Sequence, residues 1–114
     1  MNMKKPTVSF EDFQKLDLRV GEVKEASFIE GSRNLITMQI DLGTEYGVVE
    51  IMAGIGSFYQ PENVIGKKFV FVANLEPKKM MGRQSNGMTL MVDLEGKPII
   101  IPLESDLPNG AVIC

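Results

Sequence analysis

The stretch LITMQIDLGTEYGVVEIMA, residues 35–53, decides the fold. Ile36, Met38 and Ile40 occupy alternate positions in its first half, which is typical of a strand with one buried face. Residues 43–47 have a glycine at each end and predict a hairpin turn, and the apolar run 48–53 predicts the next strand. The stretch therefore predicts two neighbouring antiparallel strands.

Strand-like segments continue on both sides of this hairpin. Residues 18–27 alternate loosely and predict a strand that is bulged or bent at Gly21. One helical turn is expected over 54–59, before Pro61. Three further strands are predicted downstream, over residues 68–73, 88–94 and 99–101.

The chain starts with a short arm and a helix signal. Ser9 to Asp12 has the form of a capping box and predicts a helix that ends near Leu16. We therefore expect a flexible arm over residues 1–8 and a single domain over 9–114. Short strands separated by turns, with a short helix between the third and fourth, predict an all-β, five-stranded OB-fold barrel. The pattern of strands and turns alone does not exclude an SH3-like barrel or a β-sandwich.

Composition narrows the classes of function. The chain has 114 residues and no histidine, which removes Ser-His and Cys-His nucleophile pairs and histidine metal sites. Cys114 is the only cysteine, so neither an intrachain disulfide nor a cysteine metal framework is expected. No nucleotide-binding glycine motif is present, and no apolar run approaches the roughly 20 residues that span a bilayer. We predict a cytoplasmic protein with no catalytic activity, cofactor or metal.

Positive charge is concentrated in one part of an acidic chain. The net charge is −3, yet the window from Lys67 to Arg83 contains five basic residues and one acid, Glu76. The window is therefore +4 and the remainder is −7. Local positive charge on a negative body predicts an anion-binding surface, and nucleic-acid phosphates are the favoured anions. Phe69 and Phe71, in contrast, are expected to be buried rather than to stack on bases.

Four stretches together resemble a known family. They are the segment 10–21 (FEDFQKLDLRVG), the segment 30–32 (EGS), the segments 53–55 and 59–62 (AGI and YQPE), and the segments 73–80 and 85–88 (ANLEPKKM and SNGM). They are similar to the tRNA-binding domain family, which includes the C-terminal domain of methionyl-tRNA synthetases, separately encoded β subunits, stand-alone dimeric tRNA-binding proteins and the endothelial-monocyte-activating polypeptide domain. The resemblance implies an OB-fold homodimer that binds tRNA without catalysis.

The charge pattern and the resemblance together predict a set of RNA contacts. The lysines after Pro77 stand where the family usually has Arg-Lys, so they keep the charge but lose the bidentate arginine. Core packing is the alternative for the methionines of the set, and turn formation is the alternative for its serine. The predicted RNA-binding residues are Arg33, Asn34, Lys78, Lys79, Met80, Arg83, Ser85 and Met88.

The C-terminal portion carries more apolar surface than a final hairpin needs. It either closes the barrel core or covers a two-fold partner, and the resemblance favours the partner. We predict a C-terminal β extension that forms the dimer interface, and its interface residues are Ile99, Ile101, Val112 and Ile113. The expected partners are tRNA, a second copy of the chain and the catalytic subunit of methionyl-tRNA synthetase. The alternative function is a chaperone-like protein of the same fold that binds exposed apolar peptide segments.

Overall fold

The computed structural model describes residues 3–114, and nearly all of its regular structure is β-strand. Residues 1 and 2 of the predicted N-terminal arm lie outside the described residues. Residues 3–114 contain, in chain order, a four-residue helix, a 3₁₀ helix and ten strands: α1 Phe10–Phe13, β1 Leu18–Phe28, β2 Ile36–Asp41, β3 Val48–Ala53, the 3₁₀ helix Pro61–Asn63, β4 Lys68–Val72, β5 Lys78–Met80, β6 Arg83–Ser85, β7 Met88–Thr89, β8 Val92–Leu94, β9 Lys97–Ile99 and β10 Val112–Ile113.

The main sheet has the order β3-β2-β1-β4-β7, with β10 paired to the start of β1, and all of its pairings are antiparallel. The sheet curls so that β3 meets the chain between β6 and β7, where Asn86 N donates to Glu50 O at 2.9 Å. The prediction of an all-β, five-stranded OB-like barrel with a short helix is confirmed.

The barrel core comes from the alternating residues that the sequence indicated. Ile36, Met38 and Ile40 of β2 are buried and pair with Ala53, Ile51 and Val49 of β3. Both Phe69 and Phe71 are also buried, with their ring centroids 6.4 Å apart. Their burial, as predicted, leaves neither ring exposed to a nucleic-acid base.

The bulge in β1 does not lie at Gly21. The register with β2 shifts between Val23 and Glu25, two residues later. Gly21 instead lies against the core: a Cβ there would be 2.6 Å from Phe71 Cδ2 and 2.7 Å from Ile40 Cγ2. The glycine is therefore explained by the close approach of two buried side chains.

Local signals near the helices were partly right. Ser9 caps α1 by accepting a hydrogen bond from Asp12 N at 3.0 Å, but the helix ends at Phe13 rather than near Leu16. The one helical turn expected over 54–59 is present, because Tyr59 N donates to Ile55 O at 2.9 Å. The segment after it is the 3₁₀ helix Pro61–Asn63, where proline fixes the first backbone dihedral.

Candidate nucleic-acid interface

The basic segment predicted as a loop is a β-hairpin. Its strands β5 and β6 pair Lys78 with Ser85 and Lys79 with Gln84. The two-residue turn at its tip has positive φ at both residues, 52° at Met81 and 73° at Gly82, as a type I′ hairpin turn requires. Cross-strand partners share one face of a ribbon, so Lys78 and Ser85 lie on one face and Lys79 and Gln84 on the other.

The hairpin is fixed to β3 by a buried hydroxyl. Ser85 is 4% exposed, and its Oγ accepts a hydrogen bond from Met52 N at 2.9 Å. This bond occupies the backbone donor that an edge strand would otherwise leave unpaired. Ser85 was predicted to contact RNA, but its side chain is enclosed and holds the hairpin in place. We therefore leave Ser85 out of the candidate interface.

The guanidinium of Arg83 is already paired. Its Nε donates to Glu50 Oε2 at 2.6 Å, and the hydroxyl of Thr37 donates to the same carboxylate oxygen. Burial by itself would raise the pKa of Glu50, but the hydrogen bonds from Thr37 and Arg83 outweigh it and lower the pKa below its usual value. Arg83 thus lies at the predicted place, yet its partly exposed guanidinium already has a carboxylate partner on β3.

The turn between β1 and β2, residues 29–35, lies beside the hairpin tip. A Cβ on Gly31 would be 3.4 Å from Met81 Cε. Ser32 Oγ shapes this turn by accepting a hydrogen bond from Leu35 N at 3.1 Å. The surface of β2 and β3, flanked by the loops after β1 and β4, is where OB-folds bind oligonucleotides. The structure brings both flanking loops together at that place.

Two residues of this turn, Arg33 and Asn34, were predicted to contact RNA, and they differ in their hydrogen bonds and ion pairs. Asn34 Oδ1 accepts a hydrogen bond from Ser57 N at 3.2 Å, and its carbonyl oxygen accepts one from Gly56 N at 2.7 Å. Asn34 therefore joins the turn to the segment after β3. Arg33 is exposed and, among residues 3–114, has no carboxylate within 4.0 Å.

Lys78 and Lys79 are both exposed, and neither amine has a carboxylate within 4.0 Å in the described part of the chain. The predicted site thus divides into three uncompensated cations and one compensated cation, Arg83. Met80 and Met88 lie next to them and line a groove under the hairpin. An incoming polyanion meets positive charge on the hairpin and on the neighbouring turn.

Sequence reasoning missed Glu50 and Thr37. Glu50 is separated from Arg83 by 33 residues. An acid in the middle of an otherwise apolar strand, on the same face as Met52, was the one signal that could have indicated a partner for a base. Among residues 3–114, no group of Cys, Asp and Glu side chains could hold a metal ion.

The four residues predicted to form a dimer interface lie in two separate places. Val112 is 65% exposed, and with Ile113 it lies beside the exposed rings of Phe10 and Phe13 along a groove of about 220 Å³. The segment of Ile99 and Ile101 is held elsewhere, since Ile100 N donates to Tyr59 Oη at 3.3 Å. The ring of Phe58 is exposed as well.

Comparison with known sequences gives a match over most of the chain. Residues 18–112 match a family described as "Putative tRNA binding domain". The chain is 43% identical over 106 residues to the methionine–tRNA ligase of Caldanaerobacter subterraneus subsp. tengcongensis, a match that covers 93% of this chain and 16% of the ligase. The chain therefore spans 16% of the length of this curated relative.

Solved structures with the same fold include a MetRS-related protein and a chaperone. A MetRS-related protein from Pyrococcus horikoshii has a TM-score of 0.91 and 36% identity, with 96% of this chain and 100% of that chain covered. The chaperone CsaA from Bacillus anthracis has a TM-score of 0.84 and 37% identity, with the same coverage of 96% and 100%. No helix among residues 3–114 has the length and apolar character needed to cross a membrane.

Proposed function

Because the chain belongs to the tRNA-binding domain family, we propose that it binds tRNA and catalyses no reaction itself. The RNA lies across the surface of β2 and β3, between the β5–β6 hairpin and the turn 29–35. Lys78, Lys79 and Arg33 contact phosphates, and this electrostatic term supplies most of the affinity. With so few contacts the affinity is moderate, which suits a domain that passes tRNA to another protein.

One observation carries this proposal. Lys78 and Lys79 project from a hairpin that is fixed to the barrel, and no carboxylate in residues 3–114 lies within 4.0 Å of either amine. Outside the window 67–83 the chain has a net charge of −7, so a polyanion is repelled by the rest of the molecule. The field of the protein therefore favours one orientation of RNA on approach.

A second copy of the chain is the proposed partner for the apolar surface at the C-terminus. Support comes from the groove of Phe10, Phe13 and Val112, which leaves large apolar side chains exposed on one side of the barrel. A two-fold dimer would bury this surface against its own copy. It would also place two basic hairpins on one body and so raise the effective concentration of binding sites.

The proposed role is assistance to methionyl-tRNA synthetase in the cytoplasm, as a detached β subunit or its equivalent. The 43% identity to a methionine–tRNA ligase supports an association with that enzyme. The TM-score of 0.91 and 36% identity to a MetRS-related protein support it as well.

A chaperone-like function is the second candidate, favoured by the 37% identity to the chaperone CsaA of Bacillus anthracis. The methionines beside the hairpin offer adaptable apolar contacts of the kind that peptide-binding surfaces use. The two functions differ in their response to salt. RNA binding through lysines weakens steeply as salt rises, whereas apolar peptide binding does not.

An electrophoretic mobility shift with total tRNA tests the proposal. Lys78→Glu with Lys79→Glu abolishes the shift at low salt, while the circular dichroism spectrum and thermal midpoint stay those of the unmodified protein. The matched control, Lys4→Glu with Lys5→Glu, changes the net charge equally at exposed positions outside the basic window and retains the shift. Unchanged binding in the hairpin variant would remove the hairpin from the mechanism.

The dimer has its own test. Gel filtration of the unmodified protein gives the mass of two chains, and Val112→Asp gives the mass of one chain, because a carboxylate is costly to bury in an apolar interface. A single-chain mass for the unmodified protein would refute the dimer without touching the proposed RNA contacts.

A further inference from the structure

A groove of about 480 Å³ lies between β3, the β5–β6 hairpin and residues 75–76. Four of the side chains that line it are apolar, and two are charged and lie at its rim. A volume of this size and a mainly apolar lining with few polar groups are typical of small-molecule sites. These six side chains are Met52, Leu75, Met80 and Met88 with Glu76 and Lys78.

The groove is held in shape before any ligand arrives. Its floor is fixed by the bond from Met52 N to Ser85 Oγ. Gly87 has a φ of 139°, and a Cβ there would be 2.9 Å from Val72 O and 3.0 Å from Ile51 Cδ1. Only glycine fits, and the chain is thereby pressed against the barrel under the groove. A preformed site loses little conformational freedom on binding.

We propose that this groove takes one unpaired base of the bound RNA, an inference that rests on the proposed function. The thioethers of Met80 and Met88 contact the faces of the base, since methionine sulfur packs favourably against aromatic rings. Lys78 at the rim contacts a phosphate next to that base. Glu76 accepts a hydrogen bond from an N–H group on the edge of the base.

The charges around the groove favour a base over other occupants. A phosphate would have to enter an apolar groove that has a carboxylate, Glu76, at its rim. An apolar peptide segment carries no group that matches Lys78 and Lys79. Every unpaired base of an RNA, in contrast, brings an aromatic face together with flanking phosphates, and proteins recognise RNA mainly through such unpaired bases.

Fluorescence anisotropy with two labelled probes, total tRNA and a blunt-ended RNA duplex, tests the proposal. Met80→Ala with Met88→Ala should weaken tRNA binding about tenfold, the order expected when one stacking contact is removed. Binding of the duplex, which has no unpaired base, should not change. The salt dependence of tRNA binding should also stay the same, because no phosphate contact is lost.

Two control variants separate the groove from the fold. Met3→Ala with Leu94→Ala removes two exposed apolar side chains that do not line the groove and should leave tRNA binding unchanged. Met80→Leu with Met88→Leu keeps the apolar volume and should retain most of the affinity.

The outcomes distinguish this inference from the proposed function. If the unmodified protein binds tRNA through Lys78 and Lys79 but Met80→Ala with Met88→Ala binds it as well as the control pair does, the groove takes no base and the inference fails alone. If the unmodified protein binds no tRNA, both fail. An apolar decapeptide that requires Met80 and Met88 for binding, without competing with tRNA, would identify the groove as a peptide site and overturn the inference.

Discussion

Salt dependence gives a quantitative test of which cations contact RNA. Each phosphate contact contributes about 0.7 to 0.9 to the slope of log Kobs against log salt concentration. Three uncompensated cations, Lys78, Lys79 and Arg33, predict a slope of about −2.1 to −2.7 for the unmodified protein. Replacing both lysines with glutamine leaves one contact and a slope of about −0.7 to −0.9. Arg83 is excluded from the count because Glu50 already compensates its charge.

These slopes translate into large differences in measured affinity. Between about 50 mM and about 200 mM salt, the unmodified protein should lose roughly 20-fold to 40-fold in affinity for tRNA. The variant with Lys78→Gln and Lys79→Gln should lose only about threefold over the same range, from a weaker starting affinity. Fluorescence anisotropy with labelled total tRNA at four or more salt concentrations gives both slopes.

Matched variants make the reasoning refutable. Lys4→Gln with Lys5→Gln changes the net charge by the same amount outside the basic window and should keep the slope of the unmodified protein. Arg83→Gln should keep it too. If the hairpin variant and the control pair have equal slopes, the lysines do not contact phosphates. If Arg83→Gln alone lowers the magnitude of the slope by about 1, its ion pair opens on binding and our count is wrong.

Three further predictions concern the scaffold that presents the interface. The hydrogen bonds from Arg19 and Tyr46 lower the pKa of Asp17, so the stabilising effect of the carboxylate is present above the usual pKa of 3.8 and is lost as pH falls through the lowered pKa. Asp17→Asn should therefore lower the free energy of unfolding at neutral pH and make it depend less on pH in the acid range. Urea titration at several pH values measures both effects. Gly21→Ala should cost about 1 to 3 kcal/mol in urea unfolding, because the new methyl group overlaps buried side chains; a smaller loss would mean that the core adjusts easily. Ser85→Ala should cost about 1 to 3 kcal/mol by leaving the N–H of Met52 unpaired, whereas Ser57→Ala, an exposed control, should cost little; equal effects would contradict the assigned role of Ser85.

The sequence predicted secondary structure best where apolar residues recur along a strand. The alternate apolar positions of β2, predicted to share one face, are buried. The apolar run 48–53 was predicted as a strand with the bounds that the structure has. Gly21 was misread because a glycine inside a strand fits either a bulge or a close contact, and only the side chains packed against it decide. The exposure of aromatic side chains such as Phe10 could not be predicted, because hydrophobicity does not reveal which apolar surfaces stay uncovered.

The candidate site was predictable in its charges but not in their pairing. Lys78 and Lys79 were chosen from local charge, and the structure leaves both uncompensated among the described residues. Arg83 and Ser85 looked equally suitable, yet their partners, Glu50 and Met52, lie 33 residues away along the chain. Such distant partners are set by barrel closure, which no local pattern encodes.

The type I′ turn of the β5–β6 hairpin has an evolutionary consequence. Since Ser85 and Asn86 secure the base of the hairpin to β3, residues can be inserted in pairs at Met81 and Gly82 without shifting the alternation of the strands below. In descendants of this chain, the hairpin could become longer or shorter and so contact nucleic acids of different shape, while the barrel stays unchanged.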